Sequence, residues 1–195
     1  MDIQPVTLEG RHVRLEPLDL TRHWDGLRVV GSEAELWRFT AQQPSNEAEL
    51  LHYLEHALDE QARGLSLPFA TIQRATGRVA GSTRFCNIVR EWKRVEVGFT
   101  WLGSEFQRSA LNTEAKYLMM RHAFERWGVM RLELKTSRTN LKSQAAMRRL
   151  GLVEEGMFRK WMYNGDGTPR DVVFFSCIDD EWPAMKARLE GLMGS

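Results

Sequence analysis

Two cysteines in 195 residues, Cys86 and Cys177, are too few for a disulfide framework or a four-cysteine zinc site. Both sit in apolar, strand-like runs, which reads as buried free thiols. An excess of one charge is also missing: 27 Lys and Arg against 26 Asp and Glu leave a formal net charge of +1. Generic binding to nucleic acid through phosphate calls for a clear basic excess, so no nucleic-acid partner is expected. No apolar run approaches the ~18 residues of a membrane span. The opening Met1-Asp2-Ile3-Gln4-Pro5 lacks the basic and apolar regions of a signal peptide. The expectation is a soluble cytoplasmic protein that makes no membrane contact. Internal repeats, low-complexity tracts and Pro/Gly/Ser-rich linkers are absent too, so residues 1–195 read as one domain. Neither the G-x-x-x-x-G-K-[ST] of a nucleotide P-loop nor a G-x-G-x-x-G after a first strand occurs. What is present is ordinary for a globular chain: 43% hydrophobic and 27% charged residues, with seven tryptophans and nine methionines.

The periodicity organises the chain. Val6 and Leu8, then Val13 and Leu15, alternate as one or two short strands around Glu9-Gly10. Thr21 to Val30 reads as a helix stopping at Gly31. Pro44-Ser45-Asn46 with Glu47 is a helix start, and helical spacing from Leu50 to Leu58 runs up to Gly64. Leu67 to Arg74, Val79 to Ile88 and Val95 to Leu102 read as an antiparallel meander. Simple alternation on the last of these puts Val95, Val97, Phe99 and Trp101 on one face. Glu96, Gly98 and Thr100 fall on the other. The period then changes: Ala115 to Trp127 is helical and Gly128 ends it. Met130, Leu132 and Leu134 alternate as a strand. Asn140 caps a helix through Leu150, with Gly151 just past its end. Val153 to Trp161 and Asp171 to Ile178 are strand-like, joined by Asn164-Gly165-Asp166-Gly167, and a last helix carries Trp182, Met185 and Leu189. This order predicts an α/β (α+β) fold: a mixed, mostly antiparallel central sheet flanked by helices.

Three features carry chemistry. First, the strand ending at Leu102 passes through a polar loop, Gly103 to Asn112, into a helix. Free backbone N–H groups and the helix dipole at such a start can hold a pyrophosphate without net positive charge; an ordinary strand-to-helix connection looks the same. Second, Asn140-Leu141-Lys142-Ser143 opens the next helix. Asn140 can cap, Ser143 shares its side, and Lys142 can meet a phosphate; simple capping is the plainer reading. Third, Glu96 is a carboxylate inside a strand, on the face opposite Val95 and Val97. It must be paired, solvated or functional, either as a proton acceptor or as a partner of Lys93 or Arg94.

With these features in this order, the chain resembles the GNAT superfamily of acyl-CoA-dependent N-acyltransferases. Within it, the chain is similar to the group related to ribosomal-protein N-terminal alanine acetyltransferases. The likeness covers nearly the whole chain, from Leu8-Glu9-Gly10 and Val13-Arg14-Leu15-Glu16-Pro17-Leu18 through Gly77-Arg78-Val79-Ala80-Gly81-Ser82. It is strongest in Val95 to Trp101, Asn112-Thr113-Glu114-Ala115-Lys116 and Asn140 to Gly151, and ends in Glu181-Trp182-Pro183.

The resemblance implies a ternary-complex transfer from acetyl-CoA to an amine acceptor, either a peptide N-terminus or a small molecule, with no metal. The cofactor would lie in a wedge where two strands splay, with Trp101 and Leu102 on one side. Gln107, Arg108, Ser109, Ala110, Leu111, Asn112 and Thr113 would hold its pyrophosphate, and Asn140, Lys142 and Ser143 would touch it from the other side. Glu96 would be the general base, and backbone N–H groups would stabilise the tetrahedral oxyanion. The family's loop, Gln/Arg-x-x-Gly-x-Gly/Ala, is kept at Gln107. Its glycine positions hold Ala110 and Asn112, the latter expected to tolerate a left-handed φ. The tyrosine that many members place seven residues after the asparagine is Met147 here, which leaves Ser143 as the nearest acid, with water as the alternative. Trp37, Phe39, Trp92 and Tyr163 are the candidate acceptor lining, with core packing the alternative for each; Trp101, Trp127 and Trp182 read as core anchors. The likeness leaves room for a homodimer. The net charge weakens the case for stable docking on ribosomal RNA.

Two other readings compete. A GNAT fold with an altered loop can be a non-catalytic acyl-CoA-binding module. His52-Tyr53-Leu54-Glu55-His56 matches the H-x-x-E-H of inverted zincin peptidases, a match that a charged surface helix also produces by chance.

Overall fold

The computed structural model describes residues 1–194. Its strands are β1 (Leu8–Glu9), β2 (Val13–Pro17), β3 (Leu67–Gln73), β4 (Val79–Val89), β5 (Arg94–Leu102), β6 (Arg131–Ser137), β7 (Val153–Tyr163) and β8 (Pro169–Ile178). They form one eight-stranded sheet in the order β1-β2-β3-β4-β5-β6-β8-β7. Every neighbouring pair is antiparallel except β5 with β6. The helices are α1 (Leu20–Gly31), α2 (Glu47–Ala62), α3 (Ala110–Glu125), α4 (Leu141–Leu150) and α5 (Trp182–Gly194). This is the mixed, mostly antiparallel sheet with flanking helices that the sequence pattern calls for. Among the described residues, no helix is long and apolar enough to cross a membrane.

Capping side chains set most helix starts. Asp19 accepts from Thr21 N at 2.8 Å, Asn46 from Glu49 N at 2.9 Å, and Asn140 from Ser143 N at 3.1 Å. Gly151 ends α4 at φ 104°, the left-handed cap expected of it. Gly31 behaves differently. It lies inside α1, and a Cβ there would fall 2.5 Å from Leu50 Cδ2 on α2. Its smallness serves helix–helix approach rather than a helix stop. A short 3-10 turn over Ala34–Leu36, which the periodicity does not announce, then leads to Trp37.

The two faces of the sheet are dressed unequally. Thr83 and Phe85 of β4 meet Met119, His122 and Trp127 on the α3 side. Arg84, between them, points the other way to Glu60 on α2. Helices α4 and α5 join α3, with Arg149 on Thr113 and Arg148 over Phe175. On the opposite face α1 and α2 pack on β4 and β3.

Helix α3 is buried along nearly its whole first half, Thr113 to Met120 included. A helix sandwiched this way must satisfy any polar side chain it carries. Glu114 does so by accepting backbone N–H bonds from Arg11, His12 and Val13 at 2.7, 2.6 and 2.8 Å, which ties α3 to the β1–β2 turn. The tryptophans expected as anchors are buried: Trp127 lies against Phe85 and Trp182 stacks on Phe124. Cys86 and Cys177 are buried and free.

Candidate active site

The pairing of β4 with β5 is interrupted twice by irregularities that re-aim side chains. Ser82 pairs with Trp101 but Arg84 with Gly98, so β5 holds one extra residue opposite β4. Phe99 lies in this bulge at φ 51°, a strained conformation for a bulky residue, costing about 1–3 kcal/mol. The bulge corrects the simple alternation expected for this strand. Phe99 and Trp101 turn to the α2 side with Glu96, against Tyr53 and Trp37. Thr100 turns to α3, where its hydroxyl meets Lys116 Nζ at 2.5 Å. A second irregularity, in β4 between Cys86 and Val89, leaves Asn87 at φ 48°. Its amide Nδ2 thereby donates to Glu96 Oε2 at 2.6 Å.

Glu96 is 3% exposed. Its partner is neither Lys93 nor Arg94, as a surface reading would have it, but Lys135 Nζ on β6. Gly98 makes room for it: a Cβ there would sit 2.9 Å from Glu96 Oε1 and 3.3 Å from Cys86 Sγ. Burial pushes the Cys86 thiol well above its ordinary range, so it faces Glu96 as a neutral thiol.

The parallel pairing of β5 with β6 runs only over Arg94–Arg131, Val95–Leu132 and Glu96–Glu133. Beyond Glu96 the strands part. From Val97 to Leu102, β5 has a neighbouring strand on the β4 side only, among the described residues. The result is a wedge with an open backbone edge along β5 and the Glu96 carboxylate at its root.

The loop after β5 and the start of α4 stand at the mouth of this wedge. Gln107 spans it: Nε2 donates to Leu102 O at 2.8 Å, and Oε1 accepts from Lys142 Nζ at 2.6 Å. Arg108 takes the left-handed conformation at φ 56°, and Ser109 caps α3. Asn112, expected to tolerate a left-handed φ, lies within the first turn of α3, as do Leu111 and Thr113, and the left-handed position falls to Arg108. The exposed Arg108, Ser109 and Ala110 offer backbone N–H groups at the positive end of the α3 dipole. Across from them, Asn140 caps α4, and Gln144 fastens the turn below to Ser137 O and Arg138 O. Ser143 is half-buried one turn before the buried Met147, on the same helix face. Two helix N-termini, Arg108 and Lys142 thus form a donor set suited to a phosphorylated ligand.

Of the aromatic residues expected to line an acceptor cleft, Trp37 is 3% exposed, stacks on Trp101 and Tyr53, and donates Nε1–H to Gly31 O. It is core. Trp92 stands in the β4–β5 turn, at the opposite end of β5 from Trp101, against Arg94. Phe39 and Tyr163 do come into one region. Phe39 O accepts from Arg170 Nη2 at 2.6 Å, and Ala41 O from Gly165 N at 2.6 Å, docking the β7–β8 hairpin on the 37–43 segment. The aromatic ring against the Glu96–Lys135 pair is another, Phe174. Phe99 lies over Arg84, and Phe174, with Lys135 Nζ 6.0 Å from its ring centroid, clusters with Phe158 and Trp161. Lys135, Asn87, Phe99 and Phe174 escape a sequence reading because bulges and strand register bring them together.

His52, Glu55 and His56 are exposed on α2. Among the described residues no group of three or more His, Cys, Asp or Glu side chains is gathered as a metal site. A surface hollow bordered by Arg11, His12, Arg74 and Leu111 lies between the β1–β2 turn and the start of α3.

Comparison with known proteins agrees with this architecture. Residues 12–153 match the acetyltransferase (GNAT) domain family. A structure from T. thermophilus, provisionally described as an acetyltransferase, is 38% identical with a TM-score of 0.89, over 99% of this chain and 100% of that one. A GCN5-related N-acetyltransferase from Brucella melitensis is 31% identical with a TM-score of 0.91, over 99% and 87%. In Bacillus subtilis (strain 168), YdaF, named provisionally as a ribosomal N-acetyltransferase, is 29% identical over 110 residues. That alignment spans 56% of this chain and only 59% of YdaF.

Proposed function

The chain belongs to the GNAT acetyltransferase family, and from that premise we propose that it moves an acetyl group from acetyl-CoA to a primary amine. The observation that carries the reading is the wedge. The β5 edge opens directly beyond a buried carboxylate, between two helix starts. A long ligand with amides and a pyrophosphate fits that donor set. The backbone of Val97 to Leu102 pairs with the amide-bearing arm, with Trp101 and Leu102 at its outer end. Residues Gln107 to Thr113 face the pyrophosphate. Asn140, Lys142 and Ser143 close on it from α4, so the Gln107–Lys142 bond opens as the ligand enters.

Acetyl-CoA supplies the activated acyl group; the protein supplies proton handling and position. Glu96 accepts the proton that an ammonium must lose before its nitrogen can attack. Ser143, or water held beside it, returns a proton to the departing thiolate. Backbone N–H groups on the open edge of β5 stabilise the negative charge on the acyl oxygen. Attack is direct. The neutral, buried Cys86 is a poor covalent carrier, which favours both substrates bound together. The chain works as one domain over residues 1–195, in the cytoplasm, with no metal. Phe39 and Tyr163 border the acceptor's entry. The name of YdaF favours a protein amino group over a small amine.

The test is an acceptor screen with acetyl-CoA by mass spectrometry, using peptides with N-terminal Ala or Ser, aminoglycosides and polyamines. At least one class should be acetylated with stoichiometric thiol release. Glu96→Gln should lower kcat by about 10²-fold or more at neutral pH while leaving CoA affinity near the parent value. Absence of both saturable CoA binding and thiol release across the panel would sink the enzyme reading. CoA binding without transfer would instead identify an acyl-CoA-binding module.

A further inference from the structure

Lys135 stands where the ammonium of an acceptor is expected. It lies two residues beyond Glu133, the last β6 residue paired with β5, and so on the diverging arm of the wedge. Continued in register, it would oppose Gly98, beside the Phe99 bulge. From there Nζ reaches back across the gap to Glu96 Oε2, the oxygen that also receives Asn87 Nδ2 at 2.6 Å. The same Nζ sits 6.0 Å from the centroid of the Phe174 ring. A carboxylate on one side and an aromatic ring on the other is an ammonium-binding arrangement. Here the protein's own amine fills it. The Lys135 side chain is 18% exposed, so it is shielded yet not sealed in. Lys116, the other shielded lysine, lies on the opposite face under Thr100. Lys142 is engaged at the wedge mouth by Gln107.

We infer that the protein acetylates its own Lys135. The inference rests on the proposed acetyl transfer and names the first amine that the site would serve. The Lys135 ammonium passes a proton to Glu96, and the neutral Nζ attacks the acetyl carbonyl carbon. The N–C bond forms as the C–S bond breaks. CoA leaves as a thiolate and takes up a proton from Ser143 or water, which recovers it from the attacking nitrogen as the amide forms; the proton held by Glu96 passes to solvent. The products are an amide on Lys135 and free CoA thiol, and no further reactant is needed.

The experiment incubates the full chain with acetyl-CoA and no added amine, followed by intact mass and peptide mapping. The expected result is one acetyl group per chain, on Lys135, at a first-order rate independent of protein concentration. That rate should fall by about 10²-fold or more in Glu96→Gln, and vanish when desulfo-CoA fills the donor site. If Glu96→Gln fails to fold, the desulfo-CoA arm carries the test. Acetyl groups spread over exposed lysines, or a Lys135 rate unmoved by desulfo-CoA, mean plain chemical acylation and overturn the inference. So does a rate that rises with protein concentration, which means transfer between chains. A chain that acetylates an added amine but leaves Lys135 unmodified refutes this inference alone. A chain that binds no CoA and modifies no amine refutes the proposed function with it.

Discussion

Replacing Lys116 with Met should stabilise the protein at neutral pH and flatten its pH dependence. Lys116 is 5% exposed beneath β5. Its Nζ meets the hydroxyls of Thr100 at 2.5 Å and Thr83 at 3.4 Å, and no carboxylate pairs with it among the described residues. Burial without a counter-charge pulls its pKa from 10.5 down to about 7. The unfolded chain therefore holds this proton up to about pH 10.5, whereas the folded chain releases it above about pH 7. Folding between those values expels a proton, so stability rises with pH across the window. Below about pH 7 both forms are charged and the full penalty, on the order of 5 kcal/mol, is felt. Met has similar length and no charge. Thr83 and Thr100 keep a partner in each other at 2.7 Å, so no orphan hydroxyl remains. Urea denaturation at about pH 6, 7, 8 and 9 is the assay. The parent should gain about 2–3 kcal/mol between about pH 7 and pH 9 relative to Lys116→Met. The variant should lead by several kcal/mol at the acidic end of that series. Identical pH slopes for the two proteins, or a variant less stable at the acidic end, would refute the reasoning.

Gly98→Ala should cut kcat at least about tenfold with CoA affinity kept, because its Cβ would press on Glu96 Oε1 at 2.9 Å and shift the carboxylate. Steady-state rates alongside CoA titration decide it, and an unchanged kcat removes the need for glycine there. Glu114→Ala strands three backbone N–H groups of the β1–β2 turn and should cost about 3–5 kcal/mol in chemical denaturation. A loss under about 1 kcal/mol would mean that water replaces the carboxylate. Arg108→Gly removes a side chain from a left-handed position at φ 56° and should raise stability by about 0.5–1 kcal/mol. If the guanidinium also meets phosphate, the same variant weakens CoA binding as its melting temperature rises, and calorimetry reads both.

Local pattern carried much of the fold because helices and strands announce themselves by period. Asn46 and Asn140 cap where an oxygen before a helical run predicts, and Gly151 ends α4 as a left-handed glycine should. Glu96 could be placed on the face opposite Val95 and Val97, since alternation holds up to the bulge. The fold was therefore legible in the pattern and the family in the resemblance, while the roles of Glu96, Gln107, Asn140 and Ser143 belong to the proposed function. What the pattern could not carry was register. A bulge is an excess of one residue relative to a partner strand, and a single strand does not encode its partner's length. Phe99 and Trp101 changed faces for that reason, and Asn87 was re-aimed for the same one. For Trp37 the pattern left cleft lining and core packing both open, because a connecting segment reads as surface; the stack on Tyr53 and Trp101 made it core. The sequence alone determined that a carboxylate would sit in a strand beside two helix starts. Only the tertiary structure decided that β6 parts from β5 at that carboxylate and sets Lys135 against it, because that contact joins residues 39 positions apart across a gap between strands.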